Sequence, residues 1–144
     1  MIEPSFGVER TLLAAMCSAY TEEDAPTSEK NETEKRVVMK FPKWLAPIKI
    51  AVLPLSKKDE LISISQKLAS DLRQDFVVAY DETQSIGKRY RRQDEIGTPY
   101  CLTVDFDSLT DGKVTLRDRD TMKQDRISIS ESAKYLKEKM AESI

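Results

Sequence analysis

The chain has 144 residues, of which 40% are hydrophobic and 33% charged, and this suits one full domain with an appendage and a well-solvated surface. The net charge of −2 excludes a uniformly basic nucleic-acid binder, so any affinity for RNA must come from a local patch. The absence of histidine excludes His-based catalytic triads and His metal ligands.

The first predicted unit is a short extended segment followed by a helix over residues 8–20. Its apolar residues recur at helical spacing, and they are Val8, Leu12, Ala15, Met16 and Ala19. The helix is apolar on most sides, which is typical of a helix that is buried on more than one face. The rest of the chain offers no obvious partner for it, which indicates that its partner lies in a part upstream that is missing here.

An acidic segment follows, over residues 21–36, with little apolar content. We expect it to be a solvated, mobile loop. Residues 37–41 then predict a short strand that Pro42 ends. The stretch 44–47, Trp-Leu-Ala-Pro, looks like a joint between two units, so we predict one unit over 1–44 and a second over 45–144.

The second unit alternates strands with helices. The predicted strands are 48–55, 76–80, 100–106, 114–117 and 126–129, and the predicted helices are 56–72, 86–96 and 130–140. A strand–helix–strand–helix–strand order is typical of parallel units with right-handed crossovers, and the last two strands are close enough for a hairpin. The predicted fold is therefore α/β, with a mixed five-stranded sheet flanked by about three helices.

The helix over 86–96 carries the densest basic cluster. Within an arc of roughly 160°, at about 100° per residue, it presents Lys88, Arg89, Arg91 and Arg92. Ile86 and Tyr90 lie opposite, toward the core. A cationic face near a helix N-terminus suits phosphate binding. The alternative is a solvated helix whose arginines pair with Asp94, Glu95 and nearby acids.

A second basic feature lies in the strand that contains Arg117 and Arg119. These two side chains share one face of a strand, because residues two apart point the same way. Two adjacent guanidinium groups at a sheet edge can read bases or phosphates. A cross-strand charge ladder is the competing interpretation.

Other polar residues do not indicate an active site within this chain. Asp105 and Asp107 could bind a divalent metal or act as acid and base. Turn roles are favoured, because Asp is a preferred turn former and no nucleophile–base pair accompanies them. Cys17 and Cys101 match no zinc spacing and are predicted to be buried thiols in a reducing cytoplasm. There is no phosphate-binding glycine loop, signal peptide or predicted membrane span.

Two parts of the sequence resemble class II aminoacyl-tRNA synthetases. Residues 2–10, Ile-Glu-Pro-Ser-Phe-Gly-Val-Glu-Arg, look like the third signature motif in the form of the dimeric glycyl-tRNA synthetases. Residues 45–55, 86–99 and 115–122 look like the C-terminal anticodon-binding domain of that family. The prolyl, threonyl and histidyl enzymes share the fold but are less similar in these stretches.

The resemblance implies that the intact enzyme activates glycine with ATP and Mg²⁺ and attaches it to tRNA(Gly). It assigns Arg10 to ATP, because a guanidinium stabilises phosphate charge, and Glu3 and Ser5 to glycine, whose ammonium pairs with a carboxylate. It assigns the anticodon region of the tRNA to the two basic features, whose members are Lys88, Arg89, Arg91, Arg92, Arg117 and Arg119.

The resemblance also implies that 1–44 is a strand–helix remnant of a catalytic domain and that 45–144 is an anticodon-binding domain. We expect a C-terminal fragment that is monomeric, binds no cofactor or metal and is inactive without the missing catalytic domain. The full enzyme would be a cytoplasmic homodimer that does not enter a membrane. A non-catalytic RNA-binding accessory module is the alternative, against which the retained Glu3, Ser5 and Arg10 argue. A small stand-alone enzyme is a third.

Overall fold

The N-terminal unit consists of a helix and a β-hairpin. The computed structural model describes residues 4–5, 7–26 and 33–142. Helix α1 spans Val8–Ala19, and strands β1, Tyr20–Pro26, and β2, Thr33–Met39, pair in antiparallel fashion. The prediction of a loop over 21–36 is therefore wrong where these strands run, while residues 27–32 lie outside the described part. Alternate β2 side chains, Arg36 and Val38, are buried, and Arg36 forms an ion pair with Asp94 of the second unit.

Helix α1 leaves its apolar side chains uncovered by the described residues. Val8 is 81% exposed, Leu13 62% and Leu12 58%, whereas Ala19 at the end of the helix is buried. A helix with this composition is normally covered by other protein. Within the described part of the chain, no helix is long and apolar enough to cross a membrane.

The second unit is built on a five-stranded sheet in the order β4-β3-β5-β6-β7. Its elements are β3 Ile50–Pro54, α2 Asp59–Leu72, β4 Val78–Tyr80, α3 Ile86–Ile96, β5 Tyr100–Val104, α4 Ser108–Asp111, β6 Lys113–Asp118, β7 Gln124–Ser128, a 3₁₀ turn Ile129–Glu131, and α5 Ser132–Ala141. Strand β3 pairs in parallel with β4 and β5, and the remaining pairings are antiparallel. The predicted mixed five-stranded α/β fold is confirmed.

Both faces of this sheet are covered. Ile50 and Val52 of β3 pack with α2 and α5 in the main core. Ala51 and Leu53 point to the other face and pack with α3. Since the whole of β3 is buried, its continuous apolar run is that of a strand between two layers. The hairpin packs against α3 and extends the second layer.

The two cysteines differ in environment, so the prediction that both are buried is wrong for one of them. Cys101 is buried and Cys17 is exposed on α1. Burial raises the pKa of the Cys101 thiol to about 12, against the opposing effect of nearby Arg117. Because the thiolate is the reactive form, Cys101 should be inert in the folded protein.

We therefore expect iodoacetamide at pH 8 to add one carbamidomethyl group to the native chain, at Cys17. After unfolding in urea, the mass should show a second group, at Cys101. Peptide mapping by mass spectrometry identifies the labelled residue in each case. Rapid labelling of Cys101 in the native chain would contradict the burial of this β5 residue under α3.

Candidate nucleic-acid interface

The carboxyl ends of β3, β4 and β5 lie at one edge of the sheet, because these strands are parallel. We call it the carboxyl edge. Helix α3 begins there, after the loop that leaves β4. Such edges are the usual ligand-binding locations of open α/β sheets.

Arg89 lies beneath the start of α3 and not on its surface. It is 3% exposed. Its guanidinium donates to the backbone carbonyls of Pro54, Asp81 and Gln84, the last at 3.1 Å. The prediction that Arg89 shares an exposed face with its basic neighbours is wrong, because its donors are used to tie the ends of β3 and β4 to the loop before α3.

The other three basic residues of α3 are accessible to different degrees. Lys88 is exposed and makes no hydrogen bond or ion pair with the described residues. Arg91 donates to the carbonyl of Lys35 in β2 at 3.1 Å. Arg92 donates from Nε to the Asp81 carboxylate at 3.1 Å. The accessible cationic face is therefore narrower than predicted, and Arg92 is also partly engaged by an acid.

The neighbours of Asp81 lower the pKa of its carboxyl group. Burial would raise the pKa of its carboxyl group, but hydrogen bonds from Thr83 and Arg92, together with the charge of Arg92, bring it below the ordinary value. The carboxylate is therefore ionised at neutral pH and neutralises part of the charge of Arg92.

Arg117 and Arg119 are buried, at 7% and 3% exposure. The predicted pair of guanidinium groups at a sheet edge is wrong. Strand β6, which ends just before Arg119, lies between β5 and β7, and the two side chains bind α3 and the hairpin. Arg117 donates to both carboxylate oxygens of Asp94, at 2.9 and 3.1 Å. Arg119 donates to the carbonyls of Gly97, at 2.8 Å, and Phe41, at 2.9 Å.

Asp94 is the centre of a buried charged cluster that sequence reasoning missed. It is 1% exposed and also accepts a hydrogen bond from Arg36 of β2, at 3.0 Å. Arg36 donates in addition to Glu23 across the hairpin and to the carbonyl of Arg119. The alternation of Arg36 with Val38 in β2 was the available signal for its burial.

The acidic residues after β5 form a turn. Asp105 accepts hydrogen bonds from the backbone N–H and the hydroxyl of Ser108, both at 2.9 Å, and pairs with Arg126. Asp107 is exposed. Within the described residues, no group of three or more His, Cys, Asp or Glu side chains could hold a metal ion.

Three residues at the carboxyl edge were also missed. Phe106 is 43% exposed, and the ammonium nitrogen of Lys58 lies 4.8 Å from the centre of its ring. Lys57 is exposed beside Lys58. The signal was the position of an aromatic residue directly after a parallel strand, where a side chain leaves the core.

The N-terminal residues expected to bind substrates are only partly described. Ser5 and Arg10 are both exposed, Ser5 just before α1 and Arg10 within it. Glu3 lies outside the described residues.

Comparison with known proteins places this geometry in context. A family model described as an anticodon binding domain matches residues 49–139. Glycine–tRNA ligase of Corynebacterium glutamicum is 52% identical over 97% of the chain, and that of Staphylococcus haemolyticus is 56% identical, also over 97%. The chain spans 30% and 29% of the length of these two relatives.

A solved structure shares the fold. The RNA binding domain of threonyl-tRNA synthetase from Cryptosporidium parvum Iowa II aligns with a TM-score of 0.62 at 27% identity. The alignment covers 69% of this chain and 25% of that one. This identity is lower than the 52% to the glycine–tRNA ligase of Corynebacterium glutamicum. The difference agrees with the sequence motifs, which resemble the glycyl enzymes more than the threonyl enzymes.

Proposed function

The chain belongs to the anticodon binding domain family, and from that premise we propose that it binds the anticodon region of tRNA(Gly) as part of a glycine–tRNA ligase. The observation that carries the proposal is the identity of 52% to such a ligase over 97% of the chain. The basic start of α3 at the carboxyl edge supplies a suitable surface, since accessible cations there attract phosphates.

In this proposal the basic residues have two different roles. Lys88, Arg91 and Arg92 contact the RNA. The other three have a structural role, because their guanidinium groups hold the strand ends, α3 and the hairpin in place; they are Arg89, Arg117 and Arg119.

The chemistry of the whole ligase is assigned to the longer protein. We propose that this protein is a cytoplasmic homodimer that activates glycine with ATP and Mg²⁺, with Arg10 contributing to ATP binding and Glu3 and Ser5 to glycine binding. The chain alone, on this view, does not form glycyl-adenylate. The exposed apolar face of α1 supports a further domain packed there, and the relatives are about three times as long.

The alternatives are less well supported. Another class II synthetase is disfavoured because the threonyl enzyme's domain is 27% identical, whereas the glycine–tRNA ligase of Corynebacterium glutamicum is 52% identical. A non-catalytic accessory module is disfavoured because the similarity to the ligases extends over 97% of the chain, including the α1 unit.

The proposal is tested by titrating the chain with tRNA(Gly) and with the same tRNA carrying a changed anticodon, across a salt series. We expect each changed base to weaken binding by about 1–3 kcal/mol. We expect Lys88→Gln to reduce the slope of log K against log salt by about 0.7–0.9, since one phosphate contact is lost. Fluorescence anisotropy with end-labelled RNA measures both quantities.

Lys67→Gln is the matched control. Lys67 is exposed on α2, which packs on the opposite face of the sheet from α3, so its charge should leave the slope unchanged. Equal binding of both RNAs at every salt concentration would argue against anticodon recognition. Equal salt slopes for the two variants would argue against a phosphate contact at Lys88 on the α3 surface.

A further inference from the structure

The crevice between β3 and β5 at the carboxyl edge is a topological switch point. The chain leaves β3 through α2 to reach β4 on one side, then returns through α3 to β5 on the other. The two helices lie on opposite faces of the sheet, so the loops after β3 and β5 diverge and leave a crevice. Pairing continues to its mouth, where the Leu55 N–H donates to the Val104 carbonyl at 2.8 Å.

Phe106 lies at the mouth of this crevice in a fixed position. The turn that Asp105 makes with Ser108 holds the backbone, and the Leu109 N–H donates to the Phe106 carbonyl at 3.2 Å. The ring is nevertheless 43% exposed, and the Lys58 ammonium nitrogen lies 4.8 Å from its centre. An exposed aromatic ring on a well-held turn is suited to stacking on a planar ligand.

The surrounding charges favour a phosphate on one side of the ring. Lys57 and Lys58 lie at the start of α2, on the β3 side of the crevice. Asp107 is exposed on the other side, directly after Phe106 in the chain. Aromatic rings flanked by lysines are the usual means by which proteins hold an unstacked base together with its phosphate.

We propose that Phe106 is the stacking platform for one unpaired base of the bound RNA, and that Lys57 and Lys58 hold the phosphate next to that base. This inference rests on the proposed function, and it names a contact outside the two basic features that the sequence indicated. A base stacked on the ring displaces the Lys58 ammonium from it toward the phosphate.

The test uses the synthetic anticodon stem-loop of tRNA(Gly), intact and with an abasic site at each anticodon position in turn. We expect Phe106→Ala to weaken binding of the intact stem-loop by about tenfold. We expect Phe106→Tyr to retain wild-type affinity, because the ring is kept. For one of the abasic RNAs, Phe106→Ala and wild type should bind equally, since the stacked base is already gone.

Trp44→Ala is the matched control, because Trp44 is an aromatic residue with 58% exposure beside Lys43, at the opposite end of β5. It should bind the intact stem-loop like wild type. A Phe106→Ala variant with wild-type affinity would overturn the inference, and so would an equal loss for every abasic RNA, which indicates a merely structural role. Wild-type chain that fails to discriminate a changed anticodon would instead overturn the proposed function.

Discussion

Replacement of Asp94 by asparagine is expected to lower the free energy of unfolding by about 3–5 kcal/mol. The carboxylate is 1% exposed and receives hydrogen bonds from Arg36 and from both terminal nitrogens of Arg117. Asparagine keeps the size of the side chain but removes its charge. Arg36 would keep its ion pair with Glu23, but the buried guanidinium of Arg117 would lose the carboxylate that it contacts.

Arg117 cannot relieve this by losing a proton. Burial alone would lower the pKa of Arg117, but hydrogen bonding and charge from Asp94 hold it above its ordinary value. Without Asp94 the Arg117 guanidinium remains cationic, since this group does not deprotonate in proteins. The cost is therefore mainly that of the uncompensated buried charge of Arg117.

Urea unfolding followed by circular dichroism measures the effect. Glu95→Gln is the matched control, because it removes the same charge from the next residue of α3 at an exposed position. It should change stability by less than about 0.5 kcal/mol. Equal midpoints for Asp94→Asn and Glu95→Gln would contradict the buried cluster.

A double-mutant cycle identifies the partner. Arg36→Met alone leaves Asp94 with one guanidinium partner, whereas in the Asp94→Asn background it removes a guanidinium that has already lost the Asp94 carboxylate. The second substitution should therefore cost less in that background, with a coupling of at least about 1 kcal/mol. Additive effects would show that the hairpin is not held to α3 through this ion pair.

The fold of the second unit could be predicted because each of its elements has a local signal. The apolar runs of β3 and β5, the helical spacing in α2 and the glycine after α3 depend on neighbouring residues alone. The order of these elements then left few topologies for a right-handed α/β sheet.

The interior of the candidate site could not be predicted in the same way. Arg117 and Arg119 are buried because their partners, Asp94, Met39 and Phe41, come from distant parts of the chain. Periodicity always assigns a charged side chain to solvent, because it contains no information on whether a distant carboxylate pairs with that side chain in the interior. The same rule led to the prediction of a loop for the strand that contains Arg36.

Adding a single methyl group at the junction between α3 and the hairpin is expected to have the second-largest effect on the free energy of unfolding. Gly97 ends α3 with φ of +87°, and its N–H donates to the Asp94 carbonyl at 3.1 Å while the Thr98 N–H donates to that of Gln93 at 2.9 Å. A Cβ at this position would lie 2.7 Å from the Met39 carbonyl oxygen and 2.8 Å from the ring of Phe41.

Gly97→Ala is therefore expected to lower the free energy of unfolding by two separate contributions. The left-handed backbone costs about 1–2 kcal/mol for any residue with a Cβ. The contact with Met39 and Phe41 adds about 1–3 kcal/mol, because backbone of the hairpin must move to relieve it. Gly112→Ala isolates the first contribution, since Gly112 has φ of +64° and nothing within 4 Å of its added Cβ. In urea unfolding, Gly97→Ala should lose at least about 1 kcal/mol more than Gly112→Ala, and equal losses would show that the hairpin does not pack against the end of α3.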